Sequence, residues 1–186
     1  MKAKPADHPG EVTLELNRRD ELLMDAATRA AGKPPFTIEK ILVPIDFSDC
    51  SKKALQYALP LAKQHKAAIT LLYVVPPIYV AGEYGGVNYV QLEASMRQDG
   101  EKELAKLATE SLPGGVATST LVRAGSPANE IVETAKSQSV DLIVISTHGR
   151  TGLQHVFLGS VAEHVVQHAP CPVFVVRERE HEILAS

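Results

Sequence analysis

The sequence predicts an α/β domain in three layers, with a parallel β-sheet between two layers of helices. Five short apolar runs alternate with four segments whose apolar residues recur at helical spacing. Parallel strands need crossover connections, and right-handed crossovers dominate, so the alternation indicates a parallel sheet. The first run, Ile38–Ile45, is almost continuously apolar, which is typical of a strand buried on both faces.

The predicted elements follow one another without an internal repeat. In chain order, the strands are Ile38–Ile45, Ala68–Val75, about Ala117–Ala124, Leu142–Ile145 and Pro172–Val176. The helices are about Ser48–His65, about Gln91–Ser111, one from Pro127 with Ser126 as cap, and Gly159–His168. In such sheets a ligand binds outside the carboxyl ends of the strands, where the strand order reverses. For this connectivity, that point lies between the first and fourth strands.

The N-terminal region differs from the rest of the chain because prolines punctuate it and no strand-like run lies between them. We predict one helix there, capped by Asn17 and ended by Gly32. The expected organisation is a partly helical arm over residues 1–35, one domain over residues 36–178 and a C-terminal tail over residues 179–186.

Composition argues against nucleic-acid-binding, membrane-spanning and disulfide-rich secreted proteins. Of 186 residues, 19 are basic and 22 acidic, and a net charge of −3 does not supply the cationic face that nucleic-acid binding requires. The longest apolar run, Leu71–Val75, is far shorter than the roughly 20 residues of a membrane helix. No secretory signal is visible, and two cysteines are too few for a disulfide framework. We therefore expect a cytoplasmic protein without a membrane or nucleic-acid partner.

The loop after the first strand contains a candidate ligand contact, Asp46. A carboxylate at the carboxyl end of a strand can accept hydrogen bonds from a ribose or from an exocyclic amine. Ser48 or Asp49 is the candidate cap of the helix that follows. Asp46 can also simply close a turn, and the loop alone does not decide between the two roles.

The loop after the fourth strand concentrates the residues that suit an anion. Gly149 and Gly152 allow the backbone to turn its N–H groups inward. Gly159 and Ser160 begin a helix whose free N–H groups and partial positive charge favour an anion. Arg150 can neutralise phosphate charge or stand in solvent. The pattern indicates a phosphate-binding loop, and the alternative is an ordinary glycine-rich turn with Ser160 as a cap.

His164 and His168 lie four residues apart, a spacing that can hold a metal on one helical face. No third ligand is evident in the sequence, so we interpret them as surface histidines and expect no metal site.

These loops jointly resemble the universal stress protein family over about Phe36 to Arg177. The pair Gly159-Ser160 follows Gly149 after nine residues. The motifs that carry the resemblance are Asp46-Phe47-Ser48, Ser146-x-x-Gly149, Gly159-Ser160 and Ala169-Pro170-Cys171-Pro172-Val173.

The resemblance implies a Rossmann-like nucleotide-binding fold with strand order 3-2-1-4-5, a homodimer and, in many members, bound ATP with or without Mg²⁺. Other members bind no nucleotide. By match to the binding members, Asp46 and Val74 flank the ribose and adenine, and the glycine loop surrounds the phosphates. The matching positions are Pro44, Ile45, Asp46, Val74, Ile145, Ser146, Gly149, Arg150, Gly159, Ser160 and Val161. One position departs, because Ser146 stands where the ATP-binding members have glycine.

The resulting hypothesis is a cytoplasmic, dimeric stress-response protein that binds ATP and hydrolyses it slowly or not at all. The pattern Gly-x-x-x-x-Gly-Lys-Ser/Thr is absent, so the chain is at most a weak ATPase. The alternative is a nucleotide-free interaction module of the same fold whose pocket Ser146 blocks. In either case the last strand, with Val173, Phe174, Val175 and Val176, is expected at an exposed sheet edge where two subunits can pair.

Overall fold

The computed structural model describes residues 2–5, 12–15, 37–77, 89–111, 114–147 and 158–177. The chain divides into two compact units, Met1–Thr37 and Ile38–Ser186. The predicted helix between Asn17 and Gly32 lies outside the described residues. None of the helices in the described part of the chain is long and apolar enough to cross a membrane.

The N-terminal unit contains a β-hairpin, so the expectation of no strand there is wrong. Strand β1 covers Lys2–Pro5 and strand β2 covers Val12–Glu15. They pair antiparallel, with Lys2 opposite Glu15 and Pro5 opposite Val12. The prediction is wrong because it treats the prolines as breaks, whereas Pro5 is part of a strand. In a ladder of two strands both strands are edges, and a proline at a strand end can turn the side that lacks an N–H away from its partner.

The second unit alternates strands and helices along its whole length. The strands are β3 (Lys40–Pro44), β4 (Ala68–Val75), β5 (Thr118–Ala124), β6 (Leu142–Ser146) and β7 (Val173–Val176). The helices are α1 (Asp49–His65), α2 (Tyr89–Ser111), α3 (Pro127–Ser137) and α4 (Ser160–His168). The predicted elements are thus confirmed, with shifts of a few residues at their ends.

The five strands form one parallel sheet in the order β5-β4-β3-β6-β7. Counted within this unit, that is the expected order 3-2-1-4-5, so the predicted fold class is confirmed. The order reverses between β3 and β6, which are neighbours although α1, β4, α2, β5 and α3 separate them in sequence. The carboxyl ends of β3 and β6 therefore meet at the switch point where such sheets bind ligands.

Apolar residues on alternate positions of the strands supply two separate cores. Ile41 and Val43 of β3 belong to the core under α1 and α2, whereas Leu42 belongs to the core under α3 and α4. All three side chains are buried. Since a strand points successive side chains to opposite faces, a continuous apolar run buries both faces of the sheet.

Helix α2 approaches β4 closely at Gly100. A Cβ at this position would lie 2.6 Å from Cε1 of Tyr73, whose ring is buried. The Tyr73 ring also packs against Phe47, with ring centroids 4.9 Å apart and an angle of 46° between the planes. The glycine is therefore required by the packing of a ring that has little room to move.

Substitution of Gly100 by alanine tests this packing. In an open helix the change would stabilise by about 1 kcal/mol. Here the added carbon overpacks the core at a cost of about 1–3 kcal/mol, so we expect a net loss of stability. Gly114→Ala is the control, because nothing lies within 4 Å of a Cβ there. Urea unfolding followed by circular dichroism measures both, and a Gly100→Ala chain more stable than wild type would contradict the packing argument.

Candidate functional site

A cleft of about 240 Å³ lies at the carboxyl ends of β3 and β6. This is many times the roughly 10–15 Å³ of such space that one water molecule needs, so the cleft can take a small organic ligand. Its walls come from β3 and the loop after it, from β4, β6 and α1, and from the first turns of α3 and α4. The lining residues are Pro44, Ile45, Asp46, Ser51, Leu72, Val74, Pro127, Ile131, Ile145, Ser146, Thr147, Gly159, Ser160, Val161 and Ala162.

The fold brings most of the predicted site residues to this one cleft. Two of them, Gly149 and Arg150, lie outside the described residues. Those that line the cleft are Pro44, Ile45, Asp46, Val74, Ile145, Ser146, Gly159, Ser160 and Val161.

The prediction missed several residues of the walls. Leu72 stands two residues before Val74 on the same face of β4, so the two-residue period of a strand could have identified it. Pro127 and Ile131 lie one turn apart at the start of α3, and nothing in the sequence alone shows that α3 reaches this cleft. The missed residues are Ser51, Leu72, Pro127, Ile131, Thr147 and Ala162.

The Asp46 carboxylate takes part in a turn, and Asp46 is also one of the residues that line the cleft. Its Oδ1 accepts the Ser48 N–H at 3.1 Å and the Ser48 hydroxyl at 2.5 Å. The Ser48 Oγ in turn accepts the Ser51 N–H at 3.2 Å and so caps α1. Of the two roles that the sequence left open for Asp46, the turn is present, and the position of Asp46 on the cleft leaves the ligand role compatible with it.

Phe47, between Asp46 and Ser48, has a left-handed backbone with φ of 66°. For a residue with a side chain this conformation costs about 1–2 kcal/mol. The Phe47 ring packs against Tyr73 and the core beneath α1 and α2. An aromatic pair contributes about 0.5–1.5 kcal/mol beyond its buried area, which is enough to offset much of that cost.

Helix α4 points its N-terminus into the cleft without a side chain to cap it. Gly159 is the N-cap, and within the described part of the chain no side-chain hydrogen bond caps this helix. The Gly159 N–H donates to the Thr147 carbonyl at 2.8 Å, which ties the two ends of the loop together. The first N–H groups of a helix lack carbonyl partners within it, and the helix dipole is positive at this end. Ser160 and Val161 thus form a wall suited to an anion.

A second part of the cleft lining is apolar. Leu72, Val74, Ile131 and Ile145 are buried and belong to the core under α3 and α4. A ligand that fits both walls has a flat or apolar part for these side chains and a negative group for the start of α4.

Other reactive side chains lie outside this lining. His164 and His168 stack with ring centroids 4.2 Å apart, and no group of three metal-binding side chains occurs among the described residues. Burial raises the pKa of the Cys171 thiol, and the nearby Asp141 carboxylate raises it further. Neither Cys50 nor Cys171 forms a disulfide.

Comparison with known proteins supports the resemblance seen in the sequence. The model of the universal stress protein family matches residues 37–177. The chain belongs to the universal stress protein family. Universal stress protein MJ0531 of Methanocaldococcus jannaschii is 38% identical over 144 residues, which cover 77% of this chain and 85% of that protein.

Solved structures share the fold of this universal stress protein. The universal stress protein UspA from Lactobacillus plantarum is 32% identical, with a TM-score of 0.63 over 76% of this chain and 99% of that one. A universal stress protein family protein from Arabidopsis thaliana with AMP bound is 23% identical, with a TM-score of 0.55 over 76% of this chain and 92% of that one. The latter similarity shows a common fold.

Two serine N-caps of this universal stress protein, Ser48 and Ser126, give a matched test of the Asp46 loop. Ser48→Ala removes the cap of α1 and one partner of Asp46, so we expect a loss of about 1 kcal/mol in the free energy of unfolding. Ser126 occupies the same position on α3 but makes no side-chain cap hydrogen bond. Ser126→Ala should therefore change stability by only a few tenths of a kcal/mol. Equal losses in urea unfolding would show that the hydrogen bonds of Ser48 add no stability.

Proposed function

We propose that this chain binds an adenine nucleotide, ATP in the first place, in the cleft between β3 and β6. It acts as a regulatory stress-response protein that hydrolyses the nucleotide slowly or not at all. One observation carries the proposal: a helix start without a side-chain cap and a set of apolar side chains line the same cleft at the switch point of the sheet.

The lining residues suit the three parts of such a ligand. Asp46 accepts hydrogen bonds from the sugar hydroxyls, with Pro44 and Ile45 supplying backbone groups. Val74 packs against the base. The phosphates lie at the start of α4 and along the glycine loop. The residues assigned to the phosphate end are Ile145, Ser146, Gly149, Arg150, Gly159, Ser160 and Val161.

A Mg²⁺ ion fits this site only as a companion of the phosphates. Protein sites for this ion supply one or two carboxylates and leave the remaining ligands to substrate phosphates and water. Asp46 is the one carboxylate among the described residues that line the cleft.

The related structure from Arabidopsis thaliana has AMP bound, which supports the adenine nucleotide as the class of ligand. Slow turnover follows from the residues that line the cleft. The described residues that line the cleft include no lysine to hold the outer phosphates. The Asp46 carboxylate already accepts two hydrogen bonds from Ser48.

Gly159→Val tests the location of the nucleotide. Gly159 has φ of −67° and ψ of 151°, which any residue adopts, so the substitution fills space in the cleft without straining the backbone. We expect the Kd for ATP, measured by isothermal titration calorimetry, to rise at least about tenfold. Gly114→Val is the matched control in an open turn before β5, at the other end of the sheet, and should leave the Kd unchanged.

The purified wild-type chain gives an independent readout. With no tryptophan and five tyrosines it absorbs weakly near 280 nm, so bound adenine nucleotide is easily seen near 260 nm. A wild-type chain that neither carries nor binds adenine nucleotides would overturn the proposal and favour the nucleotide-free interaction module.

We also propose that the protein is a homodimer that pairs β7 with its counterpart, with residues 36–178 carrying the domain. Strand β7 is at the edge of the sheet, and Phe174 is 37% exposed. An apolar edge strand with one free side favours association with another strand. The two free cysteines suit the reducing cytoplasm.

Phe174→Asp tests the dimer because it places a charge on the apolar edge strand. We expect the mass measured by light scattering after size exclusion to fall from that of a dimer to that of a monomer. Val90→Asp is the control, since Val90 is also exposed, at 78%, but lies on α2. If the wild-type chain is already a monomer, or if Phe174→Asp remains a dimer, β7 is not the interface.

A further inference from the structure

Phe47 combines a left-handed backbone with a position beside the candidate ligand contact Asp46. Among the described residues other than glycine, Lys66 and Ser139 also have positive φ. Lys66 is the C-cap of α1, and Ser139 lies in the turn after α3, where left-handed residues commonly end helices. Phe47 instead lies between a strand and the start of a helix, so helix termination does not explain its conformation.

The turn around Phe47 is closed by the Asp46 side chain. The Ser48 N–H reaches back over Phe47 to Asp46 Oδ1, which fixes the carboxylate relative to the start of α1. The φ of the residue in between sets where the Ser48 N–H points relative to this carboxylate. The φ of Phe47 and the direction of the Asp46 carboxylate are therefore linked.

The Phe47 ring has a partner that is itself confined. Tyr73 packs against the Phe47 ring, and Gly100 of α2 lies so close to Tyr73 that there is no room for a Cβ between them. Tyr73 is buried. Since Tyr73 has little freedom to move, it holds the Phe47 ring and with it the strained backbone.

We infer that Phe47 is a positioning residue for nucleotide binding. Its ring, held by Tyr73, keeps the backbone left-handed and so aims the Asp46 carboxylate at the sugar. This inference rests on the proposed function for its ligand, but the placement of Asp46 can be measured without any ligand.

Two substitutions at Phe47 separate positioning from packing. Glycine loses the ring but adopts positive φ freely, whereas alanine loses the ring and keeps the steric cost. For Phe47→Ala we expect the Kd for ATP to rise at least about tenfold, and for Phe47→Gly to stay within about threefold of wild type. We also expect Phe47→Gly to melt at a higher temperature than Phe47→Ala, whereas at most positions alanine gives the more stable chain. A purely structural role for the ring predicts equal losses of affinity.

The amide of Ser48 reports the position of Asp46 directly. Hydrogen exchange measured by NMR should be at least about tenfold faster at this amide in Phe47→Ala, and near wild type in Phe47→Gly. Lys66→Gly is the matched control, because it relieves left-handed strain away from the cleft. It should alter neither the Kd for ATP nor the exchange of Ser48.

The outcomes distinguish this inference from the proposed function. If wild type binds no ATP, the proposed function is wrong, and the exchange of Ser48 in the two variants still decides whether Phe47 places Asp46. If Phe47→Gly loses the protection of Ser48, or loses ATP affinity as severely as Phe47→Ala, the inference is overturned. Because Phe47→Gly is informative alone, a Phe47→Ala chain that fails to fold does not prevent the decision.

Discussion

Burial of the central strands on both faces is the constraint on which the rest of this structure depends. Leu42 contributes to one core, and its neighbours Ile41 and Val43 contribute to the other. With both faces of the sheet covered by helices, polar chemistry is confined to the ends of the strands. The cleft lies at such an end, where β3 and β6 diverge to opposite connections.

The two loops at this end differ in whether a side chain caps the helix that follows. The N-terminus of α1 is satisfied internally, because Ser48 caps it and Asp46 supports Ser48. The N-terminus of α4 begins at a glycine and lacks such a cap. The two helix starts thus differ: a side chain satisfies N–H groups at the first, and no side chain caps the second.

Sequence analysis predicts the features that depend on neighbouring residues and misses those that depend on contacts between distant segments. The strand Ala68–Val75 is predicted at its observed bounds because most of its eight successive residues favour a buried strand. The hairpin of β1 and β2 was missed, because its prolines suggest a break and only the pairing of two segments makes them strands. Asp46 and Ser160 are predicted from their local motifs, and both line the cleft. Ile131 is not predicted, because its place on the cleft depends on how α3 packs.

The sequence by itself determined the alternation of strands and helices, the family, and the two loops that carry polar residues. These depend on periodicity, capping and short motifs, which act over a few residues. Only the tertiary structure decided that Leu72 and Ile131 line the cleft and that Tyr73 packs closely against both Phe47 and Gly100. It also revealed the left-handed backbone of Phe47. Such contacts join residues far apart in the chain, and their geometry exists only once the cores are packed.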